Sequence, residues 1–311
     1  MCSDVSDVHH PVLLSEVIEA LSIKSNGKYI DCTFGRGGHS QEILKGLGVD
    51  GSLLAIDQDL TAIEYGRKKF KDDSRLILEQ KNFSQIVQVA KQYKFEHQVN
   101  GIFFDLGVSS PQLDNPERGF SFMHDGPLDM RMNTTQGLSA AEWLSKVSAT
   151  ELTKVLKEYG QERYSKRIAN TVIERRVLEP ITTTKALADL VLSVVGRSRE
   201  HKHPATRTFQ AIRIYINQEL DSLSRALDDC LGLLADSGRL LVITFHSLED
   251  QLVKNLLHRH THSSLPRKLP VAEQHVAKLR RVCKAIKPSD GEVSVNARAR
   301  SAKLHVLEWV A

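Results

Sequence analysis

The sequence contains few cysteines, and they are not arranged to hold a metal or a disulfide framework. Cys2, Cys32, Cys230 and Cys283 are far apart and form no C-x-x-C pair. A zinc ribbon needs closely spaced pairs of thiols, and a disulfide-stapled domain carries more cysteines in a shorter chain. We therefore expect reduced, mostly buried thiols and no metal held by cysteine.

The sequence also lacks long apolar runs and a targeting segment. No uninterrupted apolar stretch approaches the roughly 18 residues that cross a bilayer. The first residues, MCSDVSDVHHPVLLSE, carry acids and lack the basic-then-apolar pattern of a secretory signal. These absences predict a cytoplasmic protein with no membrane partner. The chain contains no internal repeat and no low-complexity tract either.

The first third of the chain alternates short apolar runs with segments of helical spacing. The apolar runs cover residues 28–34, 51–59, 74–80 and 100–108. Near-continuous apolar strands separated by helices are typical of a parallel sheet that is covered by helices on both faces. The predicted fold class is therefore α/β, with a doubly wound sheet.

Strand patterns stop at about residue 109, where a loop rich in Gly, Pro and Asp leads into several helical segments. An apolar residue at every third or fourth step from Phe209 to Leu234 then predicts one long helix. Strands are expected again at 239–247 and 303–310. The predicted sheet domain is thus discontinuous, with an all-helical insertion, and the predicted boundaries are 1–112 and 206–311 for the sheet domain and 113–205 for the insertion.

A glycine-rich turn follows the first predicted strand in the stretch YIDCTFGRGGHS. A dinucleotide fingerprint would read G-x-G-x-x-G; Gly35 and Gly37 supply the first two glycines, but Ser40 occupies the third position. Asp31 lies at the end of the strand, where a carboxylate would repel a pyrophosphate but could accept hydrogen bonds from the amino group of S-adenosylmethionine. The pattern therefore favours S-adenosylmethionine over a nicotinamide dinucleotide.

Further side chains suited to a nucleoside follow the next strands. Asp57 ends the second strand, 22 residues after Gly35, where an acid commonly binds the hydroxyls of an adenosine ribose. Phe83 follows the third strand and could stack on adenine, and Asp105 ends the fourth. Each residue alone could be a loop cap or a core residue. Together, at successive strand ends, they predict a nucleoside site.

The segment after the fourth strand, DLGVSSPQLD, is best placed for the chemistry. Methylation of a pyrimidine carbon needs a cysteine nucleophile there, and none is present, since Cys32 lies back on the first strand. Asp105, Ser109, Ser110 and Gln112 could instead orient a weak nitrogen or oxygen nucleophile. Asp105 is the first candidate for accepting the N–H of an exocyclic amine. It could alternatively bind the cofactor's amino group, and SSPQ could be only a turn.

Seven motifs are distributed along almost the whole chain. They are HHPVLLSEV, IDCTFGRGGHS, LLAIDQD, DLGVSSPQLDNPERGFSFMHDGPLDMRM, HPATRTFQAIRIYIN, ITFHSLEDQLVK and NARARSAKLHV. Together, and in this order, they resemble the MraW family of ribosomal RNA small-subunit methyltransferases. The most specific strings lie between residues 105 and 217. One departure from better-known amine methyltransferases is the absence of Pro-Pro-aromatic after the fourth strand.

The resemblance implies a Rossmann-like enzyme that transfers a methyl group from S-adenosylmethionine to the N4 amine of a cytidine in 16S rRNA, at the decoding centre of the small ribosomal subunit. It implies that the helical insertion helps to recognise the substrate, and a homodimer is left open. It also implies cofactor contacts from the residues at matching motif positions, namely Gly37, Gly38, His39, Asp57, Phe83, Asp105 and Gln112.

Other patterns leave alternatives open. The three histidines of HRHTH, residues 258–262, are more typical of a polar loop than of a metal site. The stretch RGFSFMHDGPLDMRM favours a lid or substrate-contact segment over a purely structural loop. The basic residues between 278 and 303 could meet RNA phosphates or only solvent. Arg118, Arg131 and Arg207 are further phosphate candidates or ion-pair partners.

Two other functions also remain open at this stage. One is a nicotinamide-dependent dehydrogenase, although Asp31 and Ser40 disfavour the binding of a dinucleotide. The other is a non-catalytic RNA-binding or assembly factor that keeps S-adenosylmethionine as a structural ligand.

Overall fold

The computed structural model describes residues 11–196, 203–261 and 278–310. These residues form two compact units, one that contains everything up to Gly107 and from Leu220 onwards, and one that spans Val108–Glu219. The first unit is therefore built from two separated parts of the chain. The units divide after Gly107 and after Glu219, whereas the sequence placed the boundaries after residues 112 and 205.

The first unit is organised around a seven-stranded sheet within the described residues, with the strand order β3-β2-β1-β4-β5-β7-β6. Strands β1 to β5 run parallel to one another, β7 is antiparallel to β5, and β6 is antiparallel to β7. One strand, β6, was not predicted from the sequence, because it is a three-residue edge strand that contains two arginines. The strands are β1 (Lys28–Asp31), β2 (Ser52–Asp57), β3 (Leu76–Gln80), β4 (Val99–Asp105), β5 (Leu234–Thr244), β6 (Leu279–Arg281) and β7 (Lys303–Trp309).

Helices follow the strands in alternation and then fill the second unit. No helix among the described residues has the length and apolarity that a membrane crossing requires. The helices are α1 (Leu14–Leu21), α2 (Gly38–Gly46), α3 (Leu60–Lys69), α4 (Ile86–Gln92), α5 (Ser110–Asp114), α6 (Ala140–Lys146), α7 (Ala149–Gly160), α8 (Ser165–Leu178), α9 (Thr184–Val195), α10 (Thr206–Ile216), α11 (Glu219–Asp229), α12 (Ser247–Thr261) and α13 (Asp290–Val295).

Both faces of the sheet are buried under helices. Successive strand residues point to opposite faces, so neighbours in one strand belong to different cores. Phe104 packs into a core with residues of α4, α11 and α12. Its neighbour Phe103 packs into a second core with residues of α1 and α2. The α/β fold class that was predicted from the apolar runs is therefore confirmed, with helices on both faces and an antiparallel pair at one edge.

The second unit is all-helical among its described elements, and its core includes the long loop that precedes α6. Phe120, Leu128, Met130 and Met132 are buried together with side chains of α6 to α10. These four residues thus give much of RGFSFMHDGPLDMRM a structural role. Met123, in contrast, is 77% exposed, and a substrate contact by the exposed part of this loop stays a prediction.

The long helix predicted from Phe209 to Leu234 is broken, and this break moves the domain boundary. Asn217 ends α10 and Gln218 has a φ of 50°, in the left-handed region. The Asn217 side chain donates to the carbonyl of Met130 and accepts from the N–H of Met132, both at 2.7 Å. Apolar periodicity continues through the break because both helices are amphipathic, so a local pattern could not reveal it. As a result, α10 belongs to the insertion and α11 to the sheet unit.

The end of the predicted helix was wrong as well. Residues 230–233 form a short 3-10 turn, and β5 begins at Leu234, five residues before the predicted strand. Leu234 pairs with Val99 of β4. A partner strand, rather than the sequence around Leu234, therefore decides that this residue is extended.

Candidate active site

Three strands of the parallel sheet end in an aspartate at the same edge. Asp31 ends β1, and its register partners are Ala55 of β2 and Phe103 of β4. Asp57 and Asp105 each lie two residues beyond those partners, so they project further at the carboxyl edge. The strand order reverses between β1 and β4, and ligands of open α/β sheets bind in the crevice at such a reversal. Asp31, Asp57 and Asp105 therefore lie at the edge where open α/β sheets bind ligands, and their contact with a ligand stays a prediction.

The glycine-rich turn is tied to the end of β2. The backbone N–H of Gly35 donates to Oδ2 of Asp57 at 2.8 Å, and the N–H of Asp59 donates to Oδ1 at 2.8 Å. Gly35 and Gly37 have φ values of 55° and 68°, which L side chains rarely adopt. A carboxylate with two oxygens still has acceptor capacity for ligand hydroxyls. Burial raises the pKa of Asp57 to about 6, although both backbone N–H groups lower it.

Asp31 braces this turn from inside the protein. Its side chain is 1% exposed, and its carboxylate accepts from the N–H of Thr33 at 3.0 Å and from Oγ of Ser40 at 2.6 Å. Burial raises the pKa of Asp31 to about 6, while the hydrogen bonds from Ser40 and Thr33 lower it. Ser40 thus replaces the third glycine of the dinucleotide pattern with a donor to a buried acid. Direct contact between Asp31 and a cofactor stays a prediction.

Replacing Ser40 with alanine is expected to lower the free energy of unfolding by about 1–3 kcal/mol, because the buried carboxylate of Asp31 loses a hydrogen-bond donor. Urea unfolding at pH 8 and pH 5 measures the effect. The deficit should be larger at pH 8, since the hydroxyl stabilises the ionised carboxylate. Ser74→Ala, at an exposed serine, is the matched control. Equal stability of the two variants would contradict the bracing role.

His39 lies beside Asp105 at the carboxyl edge of the sheet. Its ring is 6% exposed and packs on Phe103, with the centroids 4.6 Å apart. Nε2 is 3.0 Å from the carbonyl oxygen of Val12, so this nitrogen carries a hydrogen, because a carbonyl only accepts. Nδ1 faces Oδ2 of Asp105 at 3.9 Å. The histidine is therefore oriented by the segment before α1 and points its other nitrogen at the central acid.

Asp105 has the most strongly raised pKa among the three aspartates at this edge. Its backbone N–H donates to Oγ1 of Thr33 at 2.7 Å, and its Oδ1 is buried without a hydrogen-bond partner among the described residues. Burial, together with the negative charges of Asp31 and Glu249, raises its pKa to about 8. A buried carboxylate oxygen without a donor is costly. The position therefore suits a ligand that brings an N–H group or a positive charge.

Sequence reasoning missed Glu249 and His246, which follow β5 at the same edge. Glu249 is 2% exposed, and its Oε2 accepts from the backbone N–H groups of Phe245 at 2.7 Å and His246 at 3.2 Å. Nε2 of His246 lies 3.1 Å from Oε1 of Glu249. The pair caps the N-terminus of α12, and the available signal was an H-x-x-E spacing directly after a strand. It places a buried negative charge near Asp105.

The remaining predicted residues have mixed surroundings. Phe83 begins a short 3-10 turn after β3 and packs edge-to-face on Phe104, with the centroids 5.7 Å apart. Gln112 lies in the second unit, where its Oε1 accepts from the N–H of Ser109 at 3.0 Å and caps α5. SSPQ is therefore the start of a helix. Cofactor contacts by Phe83, Gly38, His39 and Gln112 stay predictions.

Other candidate residues are occupied within the protein. Arg131 forms a two-pronged ion pair with Asp129, with N–O distances of 2.8 and 2.7 Å. Arg118 donates to the carbonyls of Arg131 and Met132. Of the HRHTH histidines, the first two lie in the last turn of α12 and His262 falls outside the described residues. No group of three or more metal-binding side chains occurs in the described parts of the chain.

These observations define a Rossmann-like α/β protein with three aspartates at the strand reversal. The profile of the MraW methylase family matches residues 6–310, and the chain belongs to that family.

Named relatives match along nearly their whole length. Ribosomal RNA small subunit methyltransferase H of Idiomarina loihiensis is 51% identical over 309 residues, covering 98% of each chain. The protein of the same name from Shewanella frigidimarina is 48% identical over 304 residues, covering 96% of this chain and 97% of that one. That of Coxiella burnetii is 45% identical, covering 97% and 99%. The chain is therefore a methyltransferase, as its motifs predicted.

The methyl donor of this methylase is S-adenosylmethionine, and the residues at the carboxyl edge suit it. The donor is a cation that carries a ribose, so acids rather than phosphate-binding cations should surround it. Asp57 retains acceptor capacity for ribose hydroxyls, and the buried Oδ1 of Asp105 can accept from an ammonium group or a substrate amine. The side chains present are thus compatible with this cofactor.

Proposed function

We propose that this protein methylates the N4 exocyclic amine of one cytidine in 16S rRNA, at the decoding centre of the small ribosomal subunit, by direct in-line transfer from S-adenosylmethionine. The names of its relatives support a small-subunit rRNA substrate. The observation that carries the choice of an amine is Oδ1 of Asp105 at the end of β4, which is buried and has no hydrogen-bond partner among the described residues. An N–H group would satisfy that oxygen, and an exocyclic amine provides one. A ribosomal substrate locates the activity in the cytoplasm.

Asp105 has two tasks in this proposal. The lone pair of an exocyclic amine is delocalised into the ring, and an N–H hydrogen bond to a carboxylate returns electron density to the nitrogen. The same carboxylate can accept the proton that the amine must lose when the new carbon–nitrogen bond forms. S-adenosylmethionine supplies an electrophilic methyl group when bound. The chain contributes the orientation of the amine and the acceptor for its proton.

The alternative of carbon methylation needs a thiolate that adds to the pyrimidine ring. Cys32, beside the site in sequence, is 2% exposed, and burial raises its pKa well above the ordinary value. It is thus neither accessible nor ionised at neutral pH. Cys230 is also fully buried, and burial raises its pKa well above the usual range. Neither thiol supports a covalent adduct.

Mass spectrometry of 16S rRNA tests the proposal. In a strain that lacks this protein, one cytidine of the decoding centre should lose a methyl group, and fragmentation should place that group on N4. Re-expression of the protein should restore it, and re-expression of an Asp57→Ala variant should not. A missing methyl group on a carbon, or no missing methyl group at all, would contradict the assigned reaction.

The same strains separate the enzyme from a non-catalytic RNA-binding factor. If Asp57→Ala restores normal ribosome assembly without restoring the methyl group, the protein has an additional role that does not need methyl transfer. If it restores neither, the methylation itself accounts for the phenotype. The dehydrogenase alternative from the sequence analysis has no support, because the chain belongs to a methylase family.

A further inference from the structure

The segment that joins β6 to β7, residues 282–302, is rich in basic residues and is called the basic connector below. It contains α13 and a 3-10 turn, Ala297–Ser301. Its basic residues are Lys284, Lys287, Arg298 and Arg300, against the acids Asp290 and Glu292. It belongs to the sheet unit, not to the helical insertion.

Strand register places the basic connector at the same edge of the sheet as the active site. Asp105 in β4 pairs with Ile243 in β5. Ile243 in turn pairs with Leu304 in β7, and Leu304 pairs with Ile286 of the connector. Three strand spacings of about 4.8 Å separate the ends of this row, so Ile286 lies roughly 15 Å from Asp105. Lys287 follows Ile286 directly. At a rise of about 3.4 Å per nucleotide, this distance corresponds to about four stacked nucleotides.

Three basic side chains of the connector are exposed and are not neutralised by the protein. Lys284, Lys287 and Arg300 form no hydrogen bond or ion pair with any other residue that the structure describes. Arg280, just before the connector, is in contrast paired with Glu308. Like charges that are held together without counter-charges favour the binding of a polyanion.

The acids of the connector do not cancel this charge. Glu292 is turned inward, and its Oε1 accepts from the backbone N–H of Leu13 at 2.8 Å. Only Asp290, in the first turn of α13, remains at the surface. The outward-facing charge of the basic connector is therefore positive.

The connector is also anchored, so its cations have defined positions. Ile286 and Leu304 exchange two backbone hydrogen bonds of 2.9 Å. The bond from Leu13 to Glu292 ties α13 to the segment before α1, whose Val12 carbonyl orients His39 in the crevice. A charged surface that is already ordered loses less conformational entropy on binding than a mobile tail.

We propose that the basic connector binds the phosphate backbone of the RNA strand about four nucleotides from the methylated base, through Lys284, Lys287 and Arg300. This inference rests on the proposed RNA substrate and gives the sheet unit a substrate-binding surface of its own. The contacts are to phosphates, so they fix the register of the strand on the enzyme and carry no sequence specificity.

The test compares a triple variant, Lys284→Gln with Lys287→Gln and Arg300→Gln, with the wild-type enzyme. Binding of a 16S rRNA transcript is measured between 50 and 200 mM salt, together with kcat/KM for its methylation. Loss of three phosphate contacts on a single strand should make the slope of log affinity against log salt shallower by about 2. Affinity at 100 mM salt should fall on the order of 10²-fold, because a slope change of about 2 acts over the decade of salt between 0.1 and 1 M. Affinity for S-adenosylmethionine should be unchanged.

Two control variants make the outcome specific. The triple variant Arg67→Gln, Lys68→Gln, Lys71→Gln removes the same charge from exposed residues at and just after the end of α3, at the opposite edge of the sheet, and should keep the wild-type slope. The charge-conserving variant Lys284→Arg, Lys287→Arg, Arg300→Lys should also keep it. If the two charge-removing triples behave alike, or if the charge-conserving variant loses the slope, the phosphate contact is overturned.

The binding data separate this inference from the proposed function. A wild-type enzyme that binds the transcript through the connector but leaves cytidine N4 unmodified would refute the assigned reaction and support the surface. Methylation at N4 with no contribution of Lys284, Lys287 and Arg300 to RNA binding would support the assigned reaction and refute the surface. The single variant Lys287→Gln, which should make the slope shallower by about 0.7, provides the same test if the triple variant folds poorly.

Discussion

Asp57→Ala is expected to weaken the binding of S-adenosylmethionine by about 10²–10³-fold and to abolish methyl transfer at ordinary cofactor concentrations. A hydrogen bond to a charged group contributes about 1.5–3 kcal/mol, and the ribose offers two hydroxyls to this carboxylate. The variant also removes the carboxylate that accepts from the N–H groups of Gly35 and Asp59, and these two bonds hold the glycine turn in shape. Isothermal titration calorimetry with S-adenosylmethionine measures the loss.

Three further measurements distinguish ligand binding from a general structural role. Asp72→Ala removes an exposed aspartate elsewhere in the sheet unit and should leave affinity unchanged. Asp57→Asn keeps one acceptor oxygen and should show an intermediate affinity. Thermal unfolding without the cofactor reports how much of the effect comes from the turn. An Asp57→Ala enzyme that binds the cofactor within threefold of wild type would remove Asp57 from the site.

Asp105→Asn is expected to lower the rate of methyl transfer by about 10²–10⁴-fold, the range of contributions from a positioned proton acceptor. The amide keeps the shape of the side chain but cannot accept the amine proton. The reaction is measured with labelled S-adenosylmethionine and small ribosomal subunits under single-turnover conditions. A loss of less than tenfold would show that Asp105 does not take part in the chemical step.

The pH dependence provides a second test of the same residue. Because the pKa of Asp105 is raised to about 8, its carboxyl group is mostly protonated at pH 7 and ionises as the pH rises. The ionised form is the one that accepts a proton or binds a cation, so kcat/KM for S-adenosylmethionine should rise from pH 6 and level off above pH 8. Asp105→Asn should remove this rise.

Glu249 offers a matched change that leaves Asp105 in place. The negative charge of Glu249 contributes to the raised pKa of Asp105, so Glu249→Gln should shift the pH profile of kcat/KM towards lower pH. Glutamine can still cap the start of α12, which separates the electrostatic effect from unfolding of that helix. An unshifted profile would mean that the two acids do not interact.

The same carboxyl group affects stability, with a defined sign. The folded state holds the Asp105 proton up to about pH 8, whereas the unfolded chain releases it near pH 4. The folded state therefore binds more protons between these values, and the free energy of unfolding should fall as the pH rises through this window. Without cofactor, Asp105→Asn should be less sensitive to pH than the wild type in thermal unfolding, and more stable than it at pH 8.

Much of the sheet and of the site could be predicted from local patterns. Four parallel strands appeared as short apolar runs because a strand buried on both faces needs apolar side chains throughout. The position of Asp31, Asp57 and Asp105 at one edge followed from the parallel alternation of strands and helices, since the carboxyl ends of parallel strands meet. The family could also be identified from motifs, and the comparisons confirm it.

Contacts between residues that are far apart in the sequence could not be predicted from local patterns. Ser40 was recognised only as a departure from the glycine pattern, and its bond to the buried Asp31 required the folded turn. The break at Gln218 depends on Asn217 reaching a loop more than 80 residues earlier. Glu249 acts on Asp105 from a different strand end, so no spacing in the sequence connects the two acids.

The sequence by itself determined the α/β class, the glycine turn and the acids that end the strands, because periodicity and turn chemistry are properties of neighbouring residues. Only the tertiary structure decided which acids are buried, which oxygen lacks a donor, and that the basic connector lies at the active-site edge. Burial and electrostatics depend on groups that are far apart along the chain and become neighbours only when the strands pair into the folded sheet.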